Sequence, residues 1–366
     1  GSRPITTVEM PIANSAATGN VSGGYRSGGL VGQLNGTASM TAVSASGSVV
    51  GGNYVGGLVG QHSGGSIQSA FASGAVTATS ESGSAGGLVG WSDVGYSSNV
   101  SSVIDDSRAT GQVNGGAYAG GLVGYWTLYY YNTGLAGITN SRASGNVSSK
   151  GYAGGLVGSF QDSNSAANAL GIRNSEASGQ VSGTSYVGGL AGYVYGYGGL
   201  RDSRATGSVT SLAGRRDSYL GGLVGYYLAL SDANRDGAIT GSYATGNVVL
   251  QGTSAMATST DVWAGGLVGW LDRSGTQTVA LRDSYATGAV SNSSAVVRLR
   301  TGGLIGQANA SMERVYAAGT VDSTGGNSRV TGGLVGAAVN NSPTATSSYW
   351  ATDTSGQATS ALGTAS

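Results

Sequence analysis

The stretch Asp-Ala-Asn-Arg-Asp-Gly-Ala-Ile at 232–239 sets oxygen-bearing side chains at alternate positions ahead of a glycine. That is the spacing by which a loop wraps a hard cation such as Ca²⁺. Asp232, Asn234 and Asp236 would supply side-chain oxygens and Ala238 a backbone carbonyl. Tyr243 stands where a bidentate glutamate closes such loops, so the expected affinity falls in the weak extracellular range, about 10⁻⁴–10⁻³ M. Asp202 and Asp272 are candidates for the missing carboxylate. A polar turn rich in Asp, Asn and Gly fits the same residues.

Proton-transfer chemistry has little to work with. The glutamates Glu9, Glu81, Glu176 and Glu313 are scattered, and His62 is the only histidine. Asp105 and Asp106 are adjacent, but Asp202 and Asp283 recur at the position of Asp106 in equivalent segments. Asp106 precedes Arg108 by two residues, as Asp202 precedes Arg204, which suggests pairing on one solvated face, worth well under about 1 kcal/mol. The expectation is a non-catalytic protein; a carbohydrate-active enzyme, which would need carboxylates converging on a groove, is the alternative.

Aromatic residues form two columns around a recurring Gly-Gly-Leu-Val-Gly. Before it stand Tyr54, Tyr118, Tyr152, Tyr186, Tyr219 and Trp263; after it stand Trp91, Tyr125, Tyr193, Tyr226 and Trp270. The first column shares the parity of the leucine and reads as packing. The second runs into the variable stretches that carry Trp126, Tyr129, Tyr130, Tyr131, Tyr195 and Tyr197. It has two open readings, corner packing or a ladder that stacks on sugar rings.

The element that positions these residues is a repeat. Glycine pairs open at Gly28, Gly56, Gly86, Gly120, Gly154, Gly188, Gly221, Gly265, Gly302 and Gly332. Their spacing runs from 28 residues (Gly28 to Gly56) to 44 (Gly221 to Gly265), the longest interval, which contains 232–239. Between them recurs Ser-x-Ala-Ser/Thr-Gly-x-Val, as in "IDDSRATGQV" (104–113) and "LRDSYATGAV" (281–290). Its alanine is invariant from Ala17 to Ala317 and its valine from Val21 to Val321. Ser, Ala, Gly and Val sit two apart and share one face of a strand; the residues between them are polar or aromatic and face water. Interior glycines, each costing about 1 kcal/mol in a helix, argue against helices. A period near 30 residues marks a solenoid or propeller. Ten blades would exceed the usual propeller count, so an all-β, single-domain β-solenoid of about ten coils is expected, a rod about 50 Å long. Leu and Val of Gly-Gly-Leu-Val-Gly have opposite parity. A bend within the motif would turn both inward; an outer apolar stripe is the other option and an aggregation hazard.

Gly-Gly-Leu-Val-Gly alternating with Ser-x-Ala-Thr-Gly-x-Val, from about residue 12 to 350, resembles the GLUG repeat of bacterial secreted and surface proteins. These include filamentous-haemagglutinin-type adhesins and some IgA-cleaving metallopeptidases. The peptidase branch implies a His-Glu-x-x-His zinc motif, which this chain does not contain, so the resemblance implies the scaffold and the adhesin context. The closing "SSYWATDTSGQATS" (347–360) is similar to the way such arrays end, with Trp350 near the alanine column as a plug. The expected organisation is a cap or tag-derived segment at 1–11, the repeat array at 12–346 and a C-terminal cap at 347–366.

Charge balances at 17 against 17 with no basic run, which argues against nucleic acid or anionic lipid as partner. No apolar stretch of about 18 residues offers a membrane span, and cysteine is absent. The function expected is the extracellular stalk of a larger bacterial surface protein. Cell-surface glycan, exopolysaccharide or host matrix would be its partners, in attachment or biofilm. The hydroxyl ladder from Thr18 to Thr287 raises ice binding as a minor alternative, but Arg and Tyr two residues away interrupt any flat surface.

Overall fold

The computed structural model describes residues 11–94, 100–129, 134–163, 169–212, 217–232, 235–251, 261–275, 279–292, 298–323, 328–340 and 342–366. The chain is a parallel β-solenoid. One coil shows the plan: strands Ser102–Asp105, Arg108–Ala109, Val113–Gly115, Tyr118–Gly120 and Val123–Leu128 follow one another around the rod. The first two belong to a 21-stranded sheet, and the others to sheets of 10, 10 and 11 strands. Like residues stack on like: Ala109 pairs with Ala143, Val113 with Val147, Tyr118 with Tyr152 and Val123 with Val157. Among the described residues every strand pairing is parallel except one hairpin, in which Ser231 faces Asp236 and Asp232 faces Arg235. The only helix described is the single turn Thr352–Ser355.

The bend expected in Gly-Gly-Leu-Val-Gly is present. Leu122 and Val123, Leu156 and Val157, and Leu223 and Val224 are all fully buried, because the chain turns at the second glycine and the leucine between two strands. Ser, Ala, Gly and Val of the second motif also point inward: Ser107, Ala109 and Val113 are at most 2% exposed.

The interior is two cores rather than one. Leu122, Val123, Ile104 and Ala109 belong to a large cluster; Val113 and Ala119 belong to a smaller one under the second and third sheets. At the waist the second glycine of each pair meets the alanine column. A Cβ on Gly121 would lie 2.0 Å from the Gly155 carbonyl oxygen and 2.8 Å from the Ala143 Cβ. Both residue types are therefore fixed by lack of room.

A corner precedes each inward serine. Asp106, Asn140, Asn174, Asp202 and Asp283 adopt φ between 44° and 50°, and Gly241 takes 61°. This left-handed region suits Asp, Asn and Gly. The serine after it completes the corner. Ser141 Oγ accepts the Ser107 N–H at 3.2 Å and donates to the Thr139 carbonyl at 2.7 Å. The same pair of bonds repeats at Ser175 and Ser203. Within-coil pairing of Asp106 with Arg108, and of Asp202 with Arg204, gives way to contacts between coils, because the corner separates the two residues. Asp106 accepts from Ser69 at 3.0 Å, Arg108 lies 4.4 Å over the Phe71 ring, and Arg204 meets Glu176 at 2.6 Å.

At the C-terminal end Trp350 stands in the alanine register, opposite Ala317. It is 4% exposed, and its Nε1 donates to the Gln357 carbonyl at 3.0 Å. A Cβ on Gly333 would fall 2.0 Å from its ring, so the indole covers the waist of the last coil.

Candidate ligand-binding surface

The two aromatic columns are neighbours across the turn between the third and fourth sheets, and they interleave. The first runs Tyr54, Ser84, Tyr118, Tyr152, Tyr186, Tyr219, Trp263 in register. The second runs Gln61, Trp91, Tyr125, Ser159, Tyr193, Tyr226, Trp270. Trp91 leans over the small Ser84 position, stacking on Tyr54 at 4.7 Å and on Tyr125 at 4.1 Å. Tyr118, Tyr152, Tyr186, Tyr219 and Trp263 form a continuous stack at 4.5–4.8 Å. Tyr193, Tyr226 and Trp270 meet that stack edge-on or tilted. The result is one aromatic seam along the rod, in which both columns have packing partners and most rings keep a solvent-facing edge. Burial pushes the phenols of Tyr54, Tyr125 and Tyr186 up to about 12. It pushes those of Tyr193, Tyr219 and Tyr226 higher still, the last with help from Asp272, whose carboxylate accepts the Tyr226 hydroxyl at 3.0 Å.

Trp126 departs from the expected surface set. It is fully buried and stacks on Phe160 at 5.6 Å inside the larger core. Strand Val123–Leu128 alternates, so Tyr125 faces out and Trp126 faces in. The same alternation in "YYLAL" buries Tyr227, whose hydroxyl donates to the Gly237 carbonyl at 2.6 Å; parity with Trp126 was the available signal for it. Tyr195 is half-buried within fourth-sheet strand Ala191–Gly196, and Tyr129 and Tyr197 are half-buried just after their fourth-sheet strands. Tyr130 and Tyr131 lie outside the described residues.

At 232–239 the backbone forms the antiparallel hairpin, with Asp232 and Asp236 on opposite arms; Asn234 lies outside the described residues. Gly237 donates to the Leu230 carbonyl at 3.1 Å, and the Ala238 carbonyl accepts the Leu200 N–H at 3.2 Å, as part of the coil ladder. Asp272 is engaged by Tyr226 and by Asn309 Nδ2 at 2.6 Å. Among the described residues no three His, Cys, Asp or Glu side chains gather as a metal cluster.

Elsewhere the ionisable groups serve the scaffold. Burial raises the Asp105 carboxyl, but hydrogen bonds from Thr139, Asn140 and Gln68 outweigh it and leave the group below its ordinary value. His62 is fully buried beside Ser92, with Nδ1 to Oγ at 3.2 Å. Burial pulls its pKa down to about 4.

Fold and surface together define a repeat protein of the parallel β-solenoid class, with an aromatic seam along the rod. The repeat carries the GLUG motif, whose family model matches residues 51–77, 183–210 and 217–249. No curated protein and no solved structure matches the chain. No helix among the described residues is long and apolar enough to cross a membrane.

Proposed function

We propose that this chain is an extracellular repeat region of a bacterial surface protein, a non-catalytic stalk that also offers a glycan- or matrix-binding surface in attachment or biofilm. The observation that carries the reading is the unbroken stacking of GLUG-type coils into one rod, capped at Trp350 and ribbed by half-buried aromatics. Such a rod resists bending, because each coil is hydrogen-bonded to its neighbours in four sheets. GLUG motifs occur in extracellular bacterial proteins, which supports the location. Antibodies against the chain should label intact cells of the source as strongly as permeabilised ones, and cells lacking the protein should attach less. Labelling confined to permeabilised cells, or release of new reducing ends from a polysaccharide by the purified chain, would overturn the proposal. Weak Ca²⁺ binding at Asp232, Asn234 and Asp236 is a separate part of it, supported by their spacing. Calorimetric titration of the wild type and of Asp236→Ala tests it, and two identical, featureless traces would remove it.

A further inference from the structure

A second line of rings lies on another face of the rod. The outward residues of the first sheet run in register as Phe71, Arg108, Arg142, Glu176, Arg204, Tyr243, Tyr285, Tyr316 and Tyr349. Here the aromatics are open rather than interleaved: Tyr285, Tyr316 and Tyr349 are 39%, 39% and 44% exposed. Tyr243 and Tyr285 are parallel within 4° at 4.9 Å, one coil apart. Two residues further along each strand runs an exposed hydroxyl column that includes Thr110, Ser144, Ser178, Thr206, Thr245 and Thr287. Toward the N-terminal side a cavity of about 230 Å³ opens between Arg108, Thr110, Arg142, Ser144, Glu176 and Ser178.

The strip therefore offers flat apolar rings, hydroxyls beside them, and an excess of guanidinium over carboxylate: Arg108, Arg142 and Arg204 against Glu176. Glu176 holds Arg204 at 2.6 Å and stands 3.8 Å from Arg142, whose side chain is nonetheless 72% exposed, and Arg108 lies over the Phe71 ring. A peptide adding as a strand needs an open backbone edge, and this is a sheet face whose backbone is paired above and below. A nucleic acid would require more phosphate contacts than three arginines around a glutamate provide. A polymer with apolar ring faces, many hydroxyls and spaced carboxylates matches all three features.

We propose that this strip binds an extended uronate-containing polysaccharide laid along the rod axis. Its rings rest on Tyr243, Tyr285, Tyr316 and Tyr349, and its carboxylates lie toward Arg108 and Arg142. The inference takes its partner class from the surface-glycan reading above but assigns a different face from the seam.

Affinity electrophoresis through gels containing polygalacturonate or neutral dextran tests it, with melting curves for every variant. The wild type should be retarded by polygalacturonate, less so as salt rises, and not by dextran. The double variant Tyr285→Ala/Tyr316→Ala should bind polygalacturonate about tenfold or more weakly, as should Arg108→Ala/Arg142→Ala. Both should melt as the wild type does, because these side chains are exposed. Val50→Ala, at an exposed apolar residue on the second sheet and away from both aromatic lines, should bind as the wild type. Retardation that strip variants leave unchanged would overturn the site while leaving a glycan-binding stalk in place. No retardation of the wild type would overturn the site and its ligand class, whereas the cell-labelling experiment bears on location alone. Sedimentation of the wild type as a dimer that the tyrosine variants dissociate would show that the strip pairs with a second copy instead.

Discussion

Gly155 and Ala177 meet across the waist of the coil. A Cβ on Gly155 would lie 2.7 Å from the Ala177 Cβ and 2.1 Å from the carbonyl oxygen of Gly189 in the next coil. The second contact is with backbone that is itself tied into the stack, so neither partner can yield alone. Gly155→Ala should therefore destabilise the rod by about 1–3 kcal/mol or more. Gly24→Ala, with nothing within 4 Å of its would-be Cβ, should stay within about 0.5 kcal/mol. Urea melts of the two variants compare them directly; equal shifts would mean that the waist is not close-packed.

The inward and outward assignments have their own test. Leu156 is fully buried and Leu156→Ala should cost about 2–5 kcal/mol, the transfer and cavity terms together. The Arg142 side chain is 72% exposed and stands 3.8 Å from Glu176, so Arg142→Ala should change stability by under about 0.5 kcal/mol. A larger loss from the arginine would reverse the reading of that face.

The serine ladder predicts a cost from a side chain of one oxygen. Ser175 Oγ accepts the Ser141 N–H at 3.2 Å and donates to the Arg173 carbonyl at 2.7 Å in a buried corner. Ser175→Ala strands that N–H away from water and should cost about 1–3 kcal/mol, read from the same melts. A neutral result would show that the corner reorganises around another acceptor.

What the sequence revealed follows from how a solenoid repeats. A position that faces its own copy in the next coil is filled by one residue type, so the columns of Ala109, Val113 and Leu122 were readable and their inward direction followed from parity. The bend at Gly121–Leu122 was legible because two adjacent apolar residues can both be buried only if the strand ends between them. The corner at Asp106 was not read: Asp, Asn and Gly at this position in the central coils are what a left-handed backbone selects, but Ala42, Ser69, Arg314 and Ser347 take the same conformation in the outer coils and blur the column. Trp126 was misplaced because it was grouped with the tyrosines that follow it, although it comes one residue after Tyr125 and shares an inward column with Phe160, Val194, Tyr227 and Leu271. Tyr243, Tyr285, Tyr316 and Tyr349 were missed as a ladder because the same column begins with arginines and a glutamate. The division into two cores depends on how the coil is pinched, which no single column records.

His62 ties the stability of the rod to pH. Its ring is fully buried in the fourth-sheet column between Leu34 and Ser92, and burial lowers its pKa from 6.5 to about 4. A histidine kept neutral in the folded state and free to protonate when unfolded favours unfolding in acid. Above pH 6.5 neither state binds the proton and the term vanishes. Between pH 6.5 and about 4 the unfolded chain takes up a proton that the folded chain does not, so stability falls with falling pH. Below about 4 both states are protonated and the loss levels off, at about 3 kcal/mol for a shift of this size. The groups that face the ring work against the shift without cancelling it: the backbone at Gly64 and Gly65 and the charge of Asp93 all favour the protonated form. Urea midpoints measured from pH 7.5 to pH 4 should therefore drop for the wild type and drop less for His62→Leu, which removes the titrating ring from a column that already holds Leu34 and Val194. Parallel curves for the two proteins would place the acid sensitivity elsewhere and show that the imidazole can gain its proton without leaving the core.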